Sequence, residues 1–87
     1  MDIEEAAKKE VERINEIMKN VELKNEKARE VFELAKSYAK DANYFLKEKK
    51  FLQAFEAAVI AWGFIDACLH LGYVEIKKEE IKKWFTI

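Results

Sequence analysis

The stretch from Phe51 to Leu71 most constrains the fold, because wound as a helix it is apolar around most of its circumference. At about 100° per residue, the polar or side-chain-free positions Glu56, Gly63, Asp66 and His70 fall within an arc of roughly 80°. Gln53 lies just outside that arc. The other 280° or so carries Phe55, Ile60, Trp62, Phe64, Ile65 and Leu69, with alanines between them. A surface helix shows one apolar stripe little more than about 100° wide, whereas a helix apolar on most sides is buried on most sides. This stretch is therefore expected to be the hub of a helical bundle. In a chain of 87 residues little other protein is left to cover it. Part of its surface is expected to meet a second molecule.

The rest of the chain supplies two amphipathic partners. Asp2 is placed to cap a first helix, with Glu5 three residues on. Ile3, Ala7, Val11, Ile14 and Met18 recur at helical steps, which predicts a helix over 3–20 that Asn20 ends in a left-handed conformation. Asn25 is the next cap, and Ala28, Val31, Ala35, Tyr38, Ala42 and Phe45 predict a second helix over 25–47. Its exposed face starts acidic (Glu26, Glu30, Glu33) and finishes basic (Lys36, Lys40, Lys47), which suits the helix dipole. Lys47-Glu48-Lys49-Lys50 is a short connection, so the third helix, over 51–71, returns antiparallel to the second. Gly72 ends that helix, with Tyr73 placed to touch Cys68 or Ala67. Ile81, Trp84 and Phe85 share one face of a short segment over 77–85 that is expected to fold back on the bundle. The expected architecture is all-α: a single domain over 1–87, formed by a three-helix antiparallel bundle with a short C-terminal helical segment.

Composition narrows the function classes. Sixteen basic and seventeen acidic residues give a net charge of -1, and a general nucleic-acid binder needs an excess of Lys and Arg to meet phosphate. The single cysteine, Cys68, leaves no internal disulfide and no Cys-based zinc site. The 51–71 stretch has the length of a membrane span, but Glu56 and Asp66 lie within it. A carboxylate near a bilayer centre costs on the order of 3 kcal/mol. The acidic opening Met1-Asp2-Ile3-Glu4-Glu5 does not read as a secretory leader. A cytoplasmic protein without nucleic-acid or membrane partners is expected.

Three constellations are candidates for chemistry. Asp66 and His70 stand one helical turn apart, a spacing at which a carboxylate and an imidazole share either a metal ion or an ordinary hydrogen bond. One histidine and two ligands leave a zinc site incomplete, so no metal and no cofactor is assigned. In an antiparallel hairpin Asp41 lies level with Glu56, with Tyr44 beside it. Two close carboxylates push one pKa up and serve as acid and base, against the plainer reading of two solvated acids on charge-rich helices. Asp66 by the same argument lies level with about residue 32, within a turn of Arg29, which predicts an ion-pair clamp between helices. Gly63 in mid-helix costs roughly 1 kcal/mol relative to alanine. It fits a close helix approach, within the bundle or across a dimer interface, and less often a notch for a ligand. Trp62, Phe64, Trp84 and Phe85 read as core or interface aromatics, and aromatics are favoured at interface cores.

The segment from Tyr44 to Ala61 is similar to one tetratricopeptide-type helix hairpin. More of the chain carries a second likeness. Asp41-Ala42-Asn43-Tyr44-Phe45, Phe51, Ala54-Phe55, Ala61-Trp62-Gly63, Asp66-Ala67 and Leu71-Gly72 together resemble an archaeal family of small helical proteins, domain of unknown function three-five-seven. The resemblance covers about residues 35–73. It implies a three-helix fold in an intracellular setting and supplies no activity, cofactor or catalytic residue.

No phosphate-binding loop, dinucleotide fingerprint or nucleophile elbow is present. The leading expectation is a non-enzymatic protein–protein interaction or adaptor module that forms a homodimer, with Phe55, Val59, Trp62 and Trp84 at the interface. A small-molecule or nucleotide-binding helical domain is the alternative. It would use a polar seam of Asp41, Tyr44, Glu56, Gly63, Asp66 and His70.

Overall fold

A computed structural model describes residues 2–85 of the chain. Three long helices dominate: α1 (Ile3–Asn20), α2 (Arg29–Lys47) and α3 (Phe51–His70). A single 3-10 turn, Glu26–Ala28, leads into α2, and a four-residue helix α4 (Glu79–Lys82) follows α3. Two three-residue strands, β1 (Val21–Leu23) and β2 (Val74–Ile76), pair antiparallel with Val21 opposite Ile76 and Leu23 opposite Val74. The fold is predominantly all-α, as the periodicity predicts, and the β-ribbon is an addition to it.

Local chemistry accounts for each helix end. The Glu5 backbone N–H donates to Asp2 Oδ1 at 2.8 Å, one half of a capping box. Asn20 does not turn left-handed as expected, for the chain leaves α1 directly into extended backbone at Val21 (φ -100°). Instead the Asn20 side-chain amide donates to the Glu16 carbonyl at 2.8 Å. Strand β1 follows at once, so a reversal at Asn20 would have aimed the chain away from β2. The 3-10 turn begins at Asn25, whose side chain accepts from the Lys27 N–H at 2.9 Å. Both later helix ends use the same device. Lys49 (φ 60°) and Gly72 (φ 74°) take left-handed conformations. Around them Lys50 N–H reaches the Phe45 carbonyl at 2.8 Å, and Tyr73 N–H reaches the Cys68 carbonyl at 2.9 Å.

The interior is built on small side chains. Ala35, Ala39 and Ala42 of α2 and Ala54, Ala57, Ala58 and Ala61 of α3 are all buried in one core. Ile14, Ile17, Ile65 and Val11 are its largest fully buried members. Alanine on facing ridges lets two helices approach toward the near end of the usual spacing of about 8–10 Å. Between α1 and α2, Asn15 and Asn43 exchange amide hydrogen bonds of 3.0 and 2.7 Å. The C-terminal segment folds back with Ile81 and Phe85 buried and the Phe85 ring 4.9 Å from that of Trp62, but Trp84, expected on the same face, stays exposed.

Candidate functional site

Because its alanine side faces the core, α3 turns larger apolar residues outward. Leu52, Val59, Ile60 and Leu71 are between 42% and 64% exposed. On a helix, residues seven apart return to within about 20° of one another, so Glu56, Gly63 and His70 form one stripe along the outer face. Leu52 and Val59 flank the stripe on one side, Ile60 and Leu71 on the other. All three stripe residues are exposed. The hub expected from the sequence is therefore covered on two sides, by α1 and α2, and open on the third.

Gly63 sits at the middle of this open face. A Cβ built there meets no atom within 4 Å. Of the two close approaches that the sequence allowed at this glycine, the one inside the bundle is overturned: no neighbouring helix lies against it.

Asp66 and His70 are brought together, with His70 Nε2 at 3.4 Å from Asp66 Oδ1. That contact has the distance of an ion pair without the alignment of a hydrogen bond, and Oδ1 is buried with no hydrogen-bond partner among the described residues. The Arg29–Asp66 clamp does not form. Arg29 instead holds Glu26 at 2.8 Å and Glu33 at 3.5 Å, because its position faces outward on α2 where i±3 and i+4 acids are nearer. Asp41 and Tyr44 are exposed on α2, nearly opposite the buried Ala39 and Ala42. No ion pair or hydrogen bond joins either of them to Glu56 among the described residues. No group of three or more His, Cys, Asp and Glu side chains is placed to hold a metal ion among the described residues.

Three of the four interface candidates occupy one flank of the open face, and Trp84 lies against α1 instead. Phe55, Val59 and Trp62 line a groove of about 270 Å³ with Glu10 and Arg13 of α1. Trp84 walls a second groove of about 370 Å³ over Lys9, Glu12, Arg13 and Glu16. A third, of about 500 Å³, lies on the other side between α1, β1 and α2, with Met18, Val21, Leu23 and Phe32 on its floor and Glu22 and Lys36 at its rim. None of Asp41, Tyr44, Glu56, Gly63, Asp66 and His70 lines any of these three grooves. The third groove depends on β1, which sequence reasoning missed. Its signal was present as the period-two patterns Val21-Glu22-Leu23 and Val74-Glu75-Ile76.

Charge around the ribbon is local. Lys24 lies 2.9 Å from Glu22, and Lys77 lies 3.5 Å from it. The Lys24 hydrogen bond, then the Lys24 and Lys77 charges, lower the Glu22 carboxyl below its ordinary value. Burial pushes the Cys68 thiol up, which suits a small core residue rather than a nucleophile.

Comparison with known proteins adds a lineage and no activity. No curated protein matches the chain. The crystal structure of protein AF1782 from Archaeoglobus fulgidus, itself assigned to the family DUF357, matches with a TM-score of 0.68 at 30% sequence identity. That match covers 85% of this chain and 92% of the archaeal one. The family model described as "Protein of unknown function (DUF357)" matches residues 4–74, which takes in α1, α2 and the whole of α3. The chain belongs to the DUF357 family.

Proposed function

We propose that this protein is a non-enzymatic protein–protein interaction module, an adaptor that self-associates through the open face of α3. Gly63 carries the reading. A mid-helix glycine costs about 1 kcal/mol relative to alanine, and no intramolecular neighbour uses the space it leaves. That space serves a backbone approaching from outside. Around it Leu52, Val59, Ile60 and Leu71 offer apolar area, whose removal from water is worth about 25 cal/mol per Å². The face is about 30 Å long and about 10 Å wide, small among specific interfaces. A reversible dimer in the micromolar range is the expected strength.

The proposed setting is cytoplasmic, with protein partners and neither nucleic acid nor membrane. By length and composition α3 could cross a membrane. Its alanine floor, buried against α1 and α2, favours a bundle helix instead. Light scattering coupled to size exclusion across a wide dilution range tests the proposal. A mass that moves from two chains to one on dilution, and stays at one for Ile60→Glu, supports it. A wild-type chain that remains monomeric at high concentration refutes it.

A further inference from the structure

Resting on that reading, we infer that the occupant of the α3 face is a second copy of this chain in antiparallel register, crossing at Gly63, with Glu56 of each copy against His70 of the other. The argument is one of charge and level. Glu56 and His70 lie seven residues before and after Gly63 on the same exposed stripe. Each is thus about 10.5 Å from the crossing along the axis. A two-fold axis through Gly63 brings residue 56 of one helix level with residue 70 of the other, twice over. A parallel arrangement would set Glu56 against Glu56, and like charges directly opposed are unfavourable.

The free chain leaves both side chains available. Among the described residues Glu56 has no ion-pair partner, and His70 is 48% exposed at the side chain with only the Asp66 contact at 3.4 Å. A neutral imidazole donates one N–H and an imidazolium two, so either form bonds to the carboxylate. Between the two pairs, Val59 of one copy falls level with Ala67 of the other. Ile60 packs beside the crossing, where the missing Cβ of Gly63 lets the backbones close. The geometry requires a shallow crossing of about 20°, the angle of bundle packing. At about 50° the helix axes at that level would splay by roughly a further 5 Å and the pairs would not meet.

The test is a charge exchange read by sedimentation equilibrium, with a thermal melt of each variant. Glu56→Lys alone faces Lys with His70, and His70→Glu alone faces Glu with Glu56. Each is expected to weaken the dimer about five- to tenfold, since both copies lose the Glu56–His70 pair. The double variant restores opposite charges across the interface and is expected within about twofold of wild type. Residues 56 and 70 are about 21 Å apart on one helix, so recovery has to come from the second copy. Any fold defect of His70→Glu persists in the double variant and is excluded as the source of recovery.

A second arm uses Gly63→Cys in a Cys68→Ala background. Mild oxidation is expected to yield a disulfide-linked dimer, because position 63 meets itself on the two-fold. A wild-type dimer whose double variant stays weak and whose Gly63→Cys chains do not cross-link overturns this register and leaves self-association standing. A monomeric wild type overturns both.

Discussion

Replacing Gly63 by leucine should strengthen the fold and weaken the assembly, two opposite signs that a glycine kept for an intramolecular contact would not give. Glycine in a helix interior is about 1 kcal/mol worse than alanine, and leucine is within about 0.2 kcal/mol of alanine. The gain is realised only where the new side chain has room. At Gly63 a Cβ meets nothing within 4 Å, and the backbone there is not in the left-handed region. The monomer should therefore gain about 0.8 kcal/mol, which in a domain of this size raises Tm by about 3–6 °C. At the proposed crossing, the same side chain stands where two backbones would approach to about 8 Å. The dimer should weaken at least tenfold. Thermal melts below the dimer dissociation constant isolate the first effect, and sedimentation equilibrium reads the second. A Tm that falls at high dilution would mean that some intramolecular contact needs glycine. A variant that dimerises as well as wild type would place the interface elsewhere.

Three further outcomes follow from the core and the ribbon. Ile65→Ala empties a fully buried position on the α3 floor and should cost about 2–5 kcal/mol in a urea titration, whereas a loss under about 1 kcal/mol would mean that the alanine core collapses around the gap. Cys68 is buried with its thiol pushed up, so a disulfide reagent at mildly alkaline pH should modify it only at the rate of opening, and fast labelling of the folded chain would contradict that burial. Glu22 is lowered from 4.5 by its hydrogen bond from Lys24 and then by the Lys24 and Lys77 charges. A depressed carboxylate stabilises the fold above its unfolded pKa and loses that contribution as pH falls through the folded one. Carboxyl chemical shifts of Glu22 should accordingly titrate below pH 4.5 and move back up in Lys24→Ala; an unchanged midpoint would dissolve the pair.

The helices were legible from their apolar periodicity, and three of their boundaries carried a signal of their own. Asp2, Asn25 and Gly72 sit where the chain enters or leaves a helix, and all three act there. The turn between α2 and α3 was legible as a short link, but Lys49 as its left-handed residue was not, since lysine carries no preference for that conformation. The ribbon escaped notice because three residues are too few for period two to stand out beside helices of 18 and 20 residues. It also pairs Val21 with Ile76, a partnership that only the bundle can bring about. The candidate seam failed to assemble for a rotational reason. Level placement along an antiparallel hairpin sets Asp41 near Glu56 in height, yet α2 turns Asp41 and Tyr44 away from its buried Ala39 and Ala42. Height along an axis is fixed by loop length; azimuth is fixed by which side chains the core accepts.

That choice by the core also explains the inversion within α3. A helix with apolar residues nearly all round has several faces it could bury, and burying Leu52, Val59 and Ile60 would remove more apolar area from water than burying alanines does. The fold instead buries Ala54, Ala57, Ala58 and Ala61 and leaves those three outside. Ala35, Ala39 and Ala42 on α2 face the same core, and matched small ridges pack at a spacing that branched side chains would hold open. Dense contact between backbones thus outweighs area on the inner side. Large aliphatic residues on the outer side are then left without an intramolecular purpose. A helix used only for the core would be expected to carry mostly Lys and Glu outward, as α1 and α2 do apart from Ile3, Leu34 and Tyr44. That α3 carries Leu52, Val59, Ile60 and Leu71 there, around a glycine with empty space above it, is what supports the proposal that its outer face meets another helix of the same kind.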